Sequence, residues 1–165
     1  MHMITRPLPK GRHMMPVAEK DLDPRLQDLL RYWQGKRAGR RYAARADFDP
    51  LDLKPVLGNI LLVDVVAQDD GSSRFRYRLF GSEFTFYHGR DLTGQWLDDI
   101  ANTGFRDELL ALYREVVTAG EMRTLSYDYL VDDRRHRFQA VLLPLSADGR
   151  RVDMVLGCGV PVAVY

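Results

Sequence analysis

Six consecutive residues constrain this chain more than any others: Arg74, Phe75, Arg76, Tyr77, Arg78 and Leu79 alternate positive charge with apolar bulk. Successive side chains of a strand point to opposite faces, so this period of two predicts a strand with Phe75, Tyr77 and Leu79 in a core and three arginines outside. Upstream, the apolar run at residues 60–66 reaches the turn Asp69-Asp70-Gly71-Ser72-Ser73, which completes a hairpin. The fold must contain a sheet with one face buried. The hairpin lies within residues 45–94, and the part of this block after Gly81 is small, aromatic and glycine-punctuated, the composition of a segment that opens a pocket.

The flanking sequence supplies the other layers. Residues 1–20 mix Pro, Gly, Met and basic residues without periodicity and read as a mobile leader. Residues 21–40 form an N-terminal amphipathic helix: Asp23-Pro24 offers a cap and a proline at the first helical position, and Leu26, Leu29, Leu30 and Trp33 recur at helical spacing before Gly39. That stripe must be buried against the domain or against a second copy of the chain. Asp49-Pro50 starts a short helical turn carrying Leu51, Leu53, Val56 and Leu57. A long helix opens at Thr103, with Phe105, Leu109, Leu112, Tyr113, Val116 and Val117 on one face, and stops at Gly120. Three strands follow, at residues 124–131, 136–145 and 152–164. Strands joined by hairpin turns need no parallel crossover, so the expectation is an α+β fold with an antiparallel sheet over residues 41–165.

Composition removes several classes. At 165 residues the chain holds one domain and a short extension. A net charge of +1 gives no global attraction to nucleic acid or to a membrane surface. The lone Cys158 excludes an internal disulfide and fits a reducing compartment. No stretch has the apolar length of a signal core or a membrane span, so the expected location is the cytoplasm.

The segments YWQGKR, RADFDPLDLKPVLGNILLVDV, RFRYRLFGSEF and GRDLTGQWL, in this order, resemble the bacterial single-domain PAS group called PAS_5, formerly a domain of unknown function. The resemblance spans roughly residues 26–160. It implies a PAS-like five-stranded antiparallel sheet with helices on one side, enclosing a pocket used for sensing a small ligand or for pairing with partners.

PAS domains that carry flavin or haem place a reactive residue in their helical middle, and this chain offers none there. Cys158 falls in the last strand without the flavin-adduct consensus, and residues 103–119 contain no histidine. No cofactor and no metal is expected, since neither His88 nor His136 has a partner at ligand spacing. Aromatic residues are the better lead. Phe84, Phe86, Tyr87 and Trp96, with Tyr113 and with Tyr127, Tyr129 and Phe138, are disposed to line one cavity or to fill a core. From these the candidate ligand-binding set is Phe84, Tyr87, His88, Trp96, Tyr113, Tyr127 and Phe138. Leu26, Leu29, Leu30 and Trp33 are the candidate dimer or partner interface. The arginine row at 74, 76 and 78 reads as a solvated face or as partners of acids on the neighbouring strand. The basic stretch from Arg31 to Arg45 reads as a solvated helix end.

The expectation is a sensory or regulatory domain, not an enzyme, that binds an unidentified small molecule or a signalling-protein partner, with no nucleic acid and no membrane insertion. The chain ends at Tyr165, directly after the last strand, so output would pass through association, with occupancy of the pocket changing how the N-terminal helix packs. Two other classes fit the same pattern: a structural or localisation scaffold with a collapsed core, and a small isomerase or hydratase using Tyr113, Tyr127 or His88 as proton donors.

Overall fold

Both sets of hairpin-connected strands form, and they join in one sheet. A computed structural model describes residues 5–7, 14–100 and 103–165. Its strands are β1 (Thr5–Pro7), β2 (Met14–Pro16), β3 (Ile60–Ala67), β4 (Ser73–Phe80), β5 (Arg123–Val131), β6 (Arg134–Leu145) and β7 (Met154–Val164). Its α-helices are α1 (Pro24–Arg37), α2 (Ser82–His88) and α3 (Thr103–Ala119). Across the sheet, β1 and β2 share one edge beside β5, and β6, β7, β3 and β4 follow in that order. Every pairing between strands is antiparallel. No helix among the described residues is long and apolar enough to cross a membrane.

The five-strand expectation is corrected to seven, and the extra two come from the stretch read as a leader. β5 would otherwise present an open edge, and a row of unpaired backbone groups is readily covered by another strand. Met14 pairs opposite Tyr127, its side chain is buried, and its backbone N–H donates to Glu108 Oε1 on α3 at 2.9 Å. Residues 1–4 and 8–13 lie outside the described residues.

A second correction concerns the alternation at β4. Tyr77 stands opposite Val63 and Leu79 opposite Leu62, so Arg78 is an extra residue, a β-bulge that reverses the facing of Leu79 and Phe80. Leu79 is therefore 38% exposed and Phe80 only 7%, the reverse of a strict period of two. The bulge puts Phe75, Tyr77 and Phe80 on the same inner side. The short turn before β3 is likewise only half apolar inside: Leu53 and Val56 are buried, but Leu51 and Leu57 face water.

The sheet separates two cores. On its outer face Leu143, Leu145, Leu156 and Cys158 pack with Leu26, Leu29, Leu30 and Trp33 of α1. On its inner face Val63, Phe75, Leu142 and Val155 pack with Leu110, Tyr113 and Val116 of α3. α1 begins with the Asp23 carboxylate accepting from the backbone N–H of Arg25 at 2.9 Å and ends where Ala38 turns left-handed. The side chain of Thr103, expected to cap α3, lies outside the described residues.

This arrangement corrects the interface expectation. Leu26, Leu29, Leu30 and Trp33 are between 0% and 4% exposed, so the stripe is spent on the chain's own sheet. Fully burying side chains of this kind contributes about 1.5–3 kcal/mol each, so the seam holds with roughly 6–12 kcal/mol before entropy is counted. The arginine row is also paired. Arg76 and Arg78 both reach Asp64 on the neighbouring strand, and Arg74 forms a two-pronged pair with Asp98.

Candidate ligand pocket

The inner face of β7 has two positions without a side chain. Gly157 and Gly159 are two apart on one strand and so share a face, where neither has a side chain to fill the space. Above them α2, the segment at 92–100 and α3 stand off from β5, β6 and β7, leaving a cavity of about 490 Å3. α2 is fixed at its start by Gly81, whose backbone packs so tightly that an added Cβ would lie 2.4 Å from the Gly58 carbonyl oxygen. It stops at Gly89, which adopts φ +95°, a conformation that favours glycine.

All seven candidate residues reach this cavity. Tyr127 and Phe138 face each other across β5 and β6 and stack at 5.4 Å with 10° between ring planes. Tyr87 from α2 meets Phe138 edge-on at 5.2 Å, and Phe84 leans on Phe80 at 5.7 Å. Trp96 is held from outside by the guanidinium groups of Arg74 at 4.1 Å and Arg76 at 5.1 Å, which explains why an indole stands steadily at a cavity wall. Tyr113 of α3 lines it from a buried position, and the exposed His88 lines it edge-on to Phe80 at 5.9 Å. Phe86 is the exception among the aromatic residues considered, since it is 55% exposed.

Several contributors lie outside that candidate set, among them Tyr77, the two glycines of β7 and Met14. By alternation Tyr77 falls among ordinary core residues, although a phenol on a core-facing strand position always brings a polar atom inside. The spacing Gly157-x-Gly159 suggests a phosphate loop only where a helix comes after it, whereas on a strand it marks a bare patch on one face. Met14 belongs to the stretch expected to be a leader, and it lines the cavity from β2.

Most of the cavity wall is uncharged. The hydroxyls of Tyr77, Tyr113, Tyr127 and Tyr129 border it, and none has a hydrogen-bond partner among the described residues. Burial pushes all four above the usual tyrosine range, so they remain protonated. Tyr127 and Tyr129 are only half-buried because the cavity itself reaches their rings. Partial burial and the neighbouring Arg90 hold His88 below the ordinary histidine range, so it is neutral near pH 7. Charged lining residues are Glu83, Arg90, Asp99 and Arg106, and the first three are exposed. No cluster of three potential metal ligands occurs among the described residues.

Cys158 borders the cavity through its backbone but turns its side chain towards α1. It is 1% exposed, and burial raises its thiol to about 12. A thiol of that kind is about one part in ten thousand thiolate at pH 8, so maleimide should label the folded protein at least about a hundredfold more slowly than the urea-unfolded one. Equal rates would show that α1 does not cover this strand.

Comparison with known proteins agrees with this architecture. The family model PAS_5, described as PAS domain, matches residues 22–160. No curated protein and no solved structure matches the chain.

Proposed function

The chain belongs to the PAS_5 family of PAS domains, and from that premise we propose that it is a cytoplasmic sensory domain: a small molecule occupies its cavity and changes its association with a partner protein or a second copy. The observation that carries this reading is the cavity itself. Its volume of about 490 Å3 falls inside the range of roughly 300–1,000 Å3 that ligand sites occupy, and its walls are apolar with a few polar atoms facing in. A scaffold with a collapsed core would leave no such volume, whereas Phe84, Tyr127 and Phe138 all border it. A pocket enzyme would need an acid or base at the inner end, whereas the acids that line the cavity, Glu83 and Asp99, are exposed.

Energetics narrows how occupancy could be relayed. A ligand present at a hundred times its Kd stabilises its preferred state by about 2.7 kcal/mol, well below the roughly 6–12 kcal/mol that holds the α1 stripe. Release of all four apolar residues is therefore out of reach. The polar joint at the start of α1 is not. There the Asp23 N–H donates to Gln139 Oε1 at 2.6 Å, the Gln139 side chain donates to the Asp21 carbonyl at 3.1 Å, and Arg25 donates to the Pro161 carbonyl at 3.3 Å. Such bonds contribute about 1 kcal/mol each, and Gln139 lies between Phe138 and Ala140, two residues that line the cavity. A ligand that displaces Phe138 pulls on this joint.

Native mass spectrometry of the protein purified from the organism that makes it tests the reading. A small molecule should be retained by the wild type and lost from Gly159→Leu, whose side chain grows into the cavity where a Cβ already lies 2.9 Å from the tip of the Phe84 ring. Spectra that stay empty across repeated preparations would favour the scaffold.

A further inference from the structure

We propose that the cavity selects an uncharged, flat aromatic molecule whose inner end carries a carbonyl or hydroxyl oxygen, held by the hydroxyls of Tyr77, Tyr113 and Tyr127. This rests on the sensory reading above and names the class of ligand it requires.

Flatness follows from the walls. Tyr127 and Phe138 lie nearly parallel, 10° apart, while Tyr87 and Tyr129 present edges to Phe138 at 85° and 89°. Such a lattice offers faces and edges, and an inserted ring gains about 0.5–1.5 kcal/mol per aromatic pair beyond the area it buries. A flexible alkyl chain gains only the area.

The oxygen follows from the unpaired hydroxyls. Tyr113 is 1% exposed and Tyr77 4%, yet neither hydroxyl has a partner among the described residues. The Tyr127 hydroxyl lies 3.1 Å from where a Cβ of Gly159 would stand, and the Tyr113 hydroxyl 3.7 Å from that of Gly157. Both therefore sit against the same stretch of β7, and Tyr77 lines the same cavity. A pure hydrocarbon would strand these groups, at about 1–3 kcal/mol for each one left desolvated. A single oxygen at this end accepts from one hydroxyl and lets the others bond among themselves or to it. A phenol both donates and accepts, so a ketone and an alcohol are equally served.

Neutrality follows from how the two lining cations are placed. Arg90 is exposed. Arg106, the most buried of the charged lining groups, donates to the carbonyls of Asp98 and Ile100 at 3.4 Å and 3.2 Å. A carboxylate would leave water for walls that are mainly apolar rings and protonated phenols, at a cost of several kcal/mol.

Three probes of matched shape test the assignment by calorimetry at pH 7.5: 2-acetylnaphthalene, 2-ethylnaphthalene and 2-naphthoate. The ketone is expected to bind about tenfold more tightly than the ethyl compound, and 2-naphthoate most weakly. Tyr113→Phe and Tyr127→Phe should each reduce the advantage of the ketone while leaving 2-ethylnaphthalene unchanged. Because neither variant removes a hydrogen bond made within the protein, its melting temperature should stay level or rise. A clear fall would mean that the hydroxyl has a structural partner, and the assignment fails. Equal affinity for ketone and ethyl compound overturns the oxygen site while leaving the cavity a ligand site. Tightest binding of 2-naphthoate overturns neutrality. If none of the three binds up to its solubility limit, both this inference and the sensory reading fall.

Discussion

Trp33→Asp is expected to unfold the chain, not to change how copies of it associate. Trp33 is 4% exposed on the buried side of α1, with the Arg37 guanidinium over its ring at 5.4 Å. Truncating a buried tryptophan costs about 3–5 kcal/mol, and the carboxylate adds the penalty of an unpaired buried charge. The sum approaches the whole stability of an ordinary domain, about 5–15 kcal/mol. At a urea slope of about 2 kcal/mol per molar, the midpoint followed by far-UV circular dichroism should fall by at least about 2 M. Trp33→Phe should be far milder, because it keeps most of the apolar area and the indole N–H has no partner among the described residues to lose. Equal midpoints for wild type and Trp33→Asp would mean that α1 is not packed on the sheet. Light scattering on the Asp variant would then report on association.

The position of Trp33 also shows what periodicity can and cannot decide. The spacing of Leu26, Leu29, Leu30 and Trp33 states that a stripe is buried, but not against what. The answer lies in the outer face of β6 and β7, where Leu143, Leu145, Leu156 and Cys158 are also apolar. Strands apolar on both faces announce a layer on each side. That signal is present in the run Ala140 to Leu145, whose outer-face side chains pack with α1. The hairpins and α3 are legible because period and turn chemistry are local. The bulge at Arg78 is not, since it depends on the register with Leu62 and Val63 across the pair. The four unpaired phenols are invisible for a related reason. Whether a hydroxyl finds a partner is decided by neighbours on other elements, and here the cavity lies where those partners would be.

Gly81→Ala should be the most damaging single methyl that can be added near the cavity. Gly81 has an ordinary φ of −59°, so its glycine is required by space, not by conformation. The new Cβ would lie 2.4 Å from the Gly58 carbonyl oxygen, 2.6 Å from that of Ile60 and 2.9 Å from the Gly58 carbonyl carbon. All three are backbone atoms, so no rotamer change relieves the contact. Nor can the seam simply widen, because the Gly81 N–H donates to the Ile60 carbonyl at 2.9 Å and its carbonyl accepts from the Thr85 N–H at 3.0 Å, the first bond of α2. Overpacking of this kind costs about 1–3 kcal/mol, and a clash between backbones belongs at or above the upper figure. For a chain of this size that corresponds to a melting temperature lower by roughly 6–12 °C. Gly71→Ala is the control: Gly71 sits at φ +85° with open space around it, so alanine there meets only conformational strain of about 1–2 kcal/mol. The two variants separate further in binding. Gly81→Ala tilts α2, and with it Phe84, Tyr87 and His88, so any ligand retained by the wild type should be lost. Gly71→Ala, in the turn between β3 and β4, should retain it. If Gly81→Ala matched Gly71→Ala in both stability and retention, α2 would not be anchored through this contact, and the cavity would owe its shape to the glycines of β7 alone.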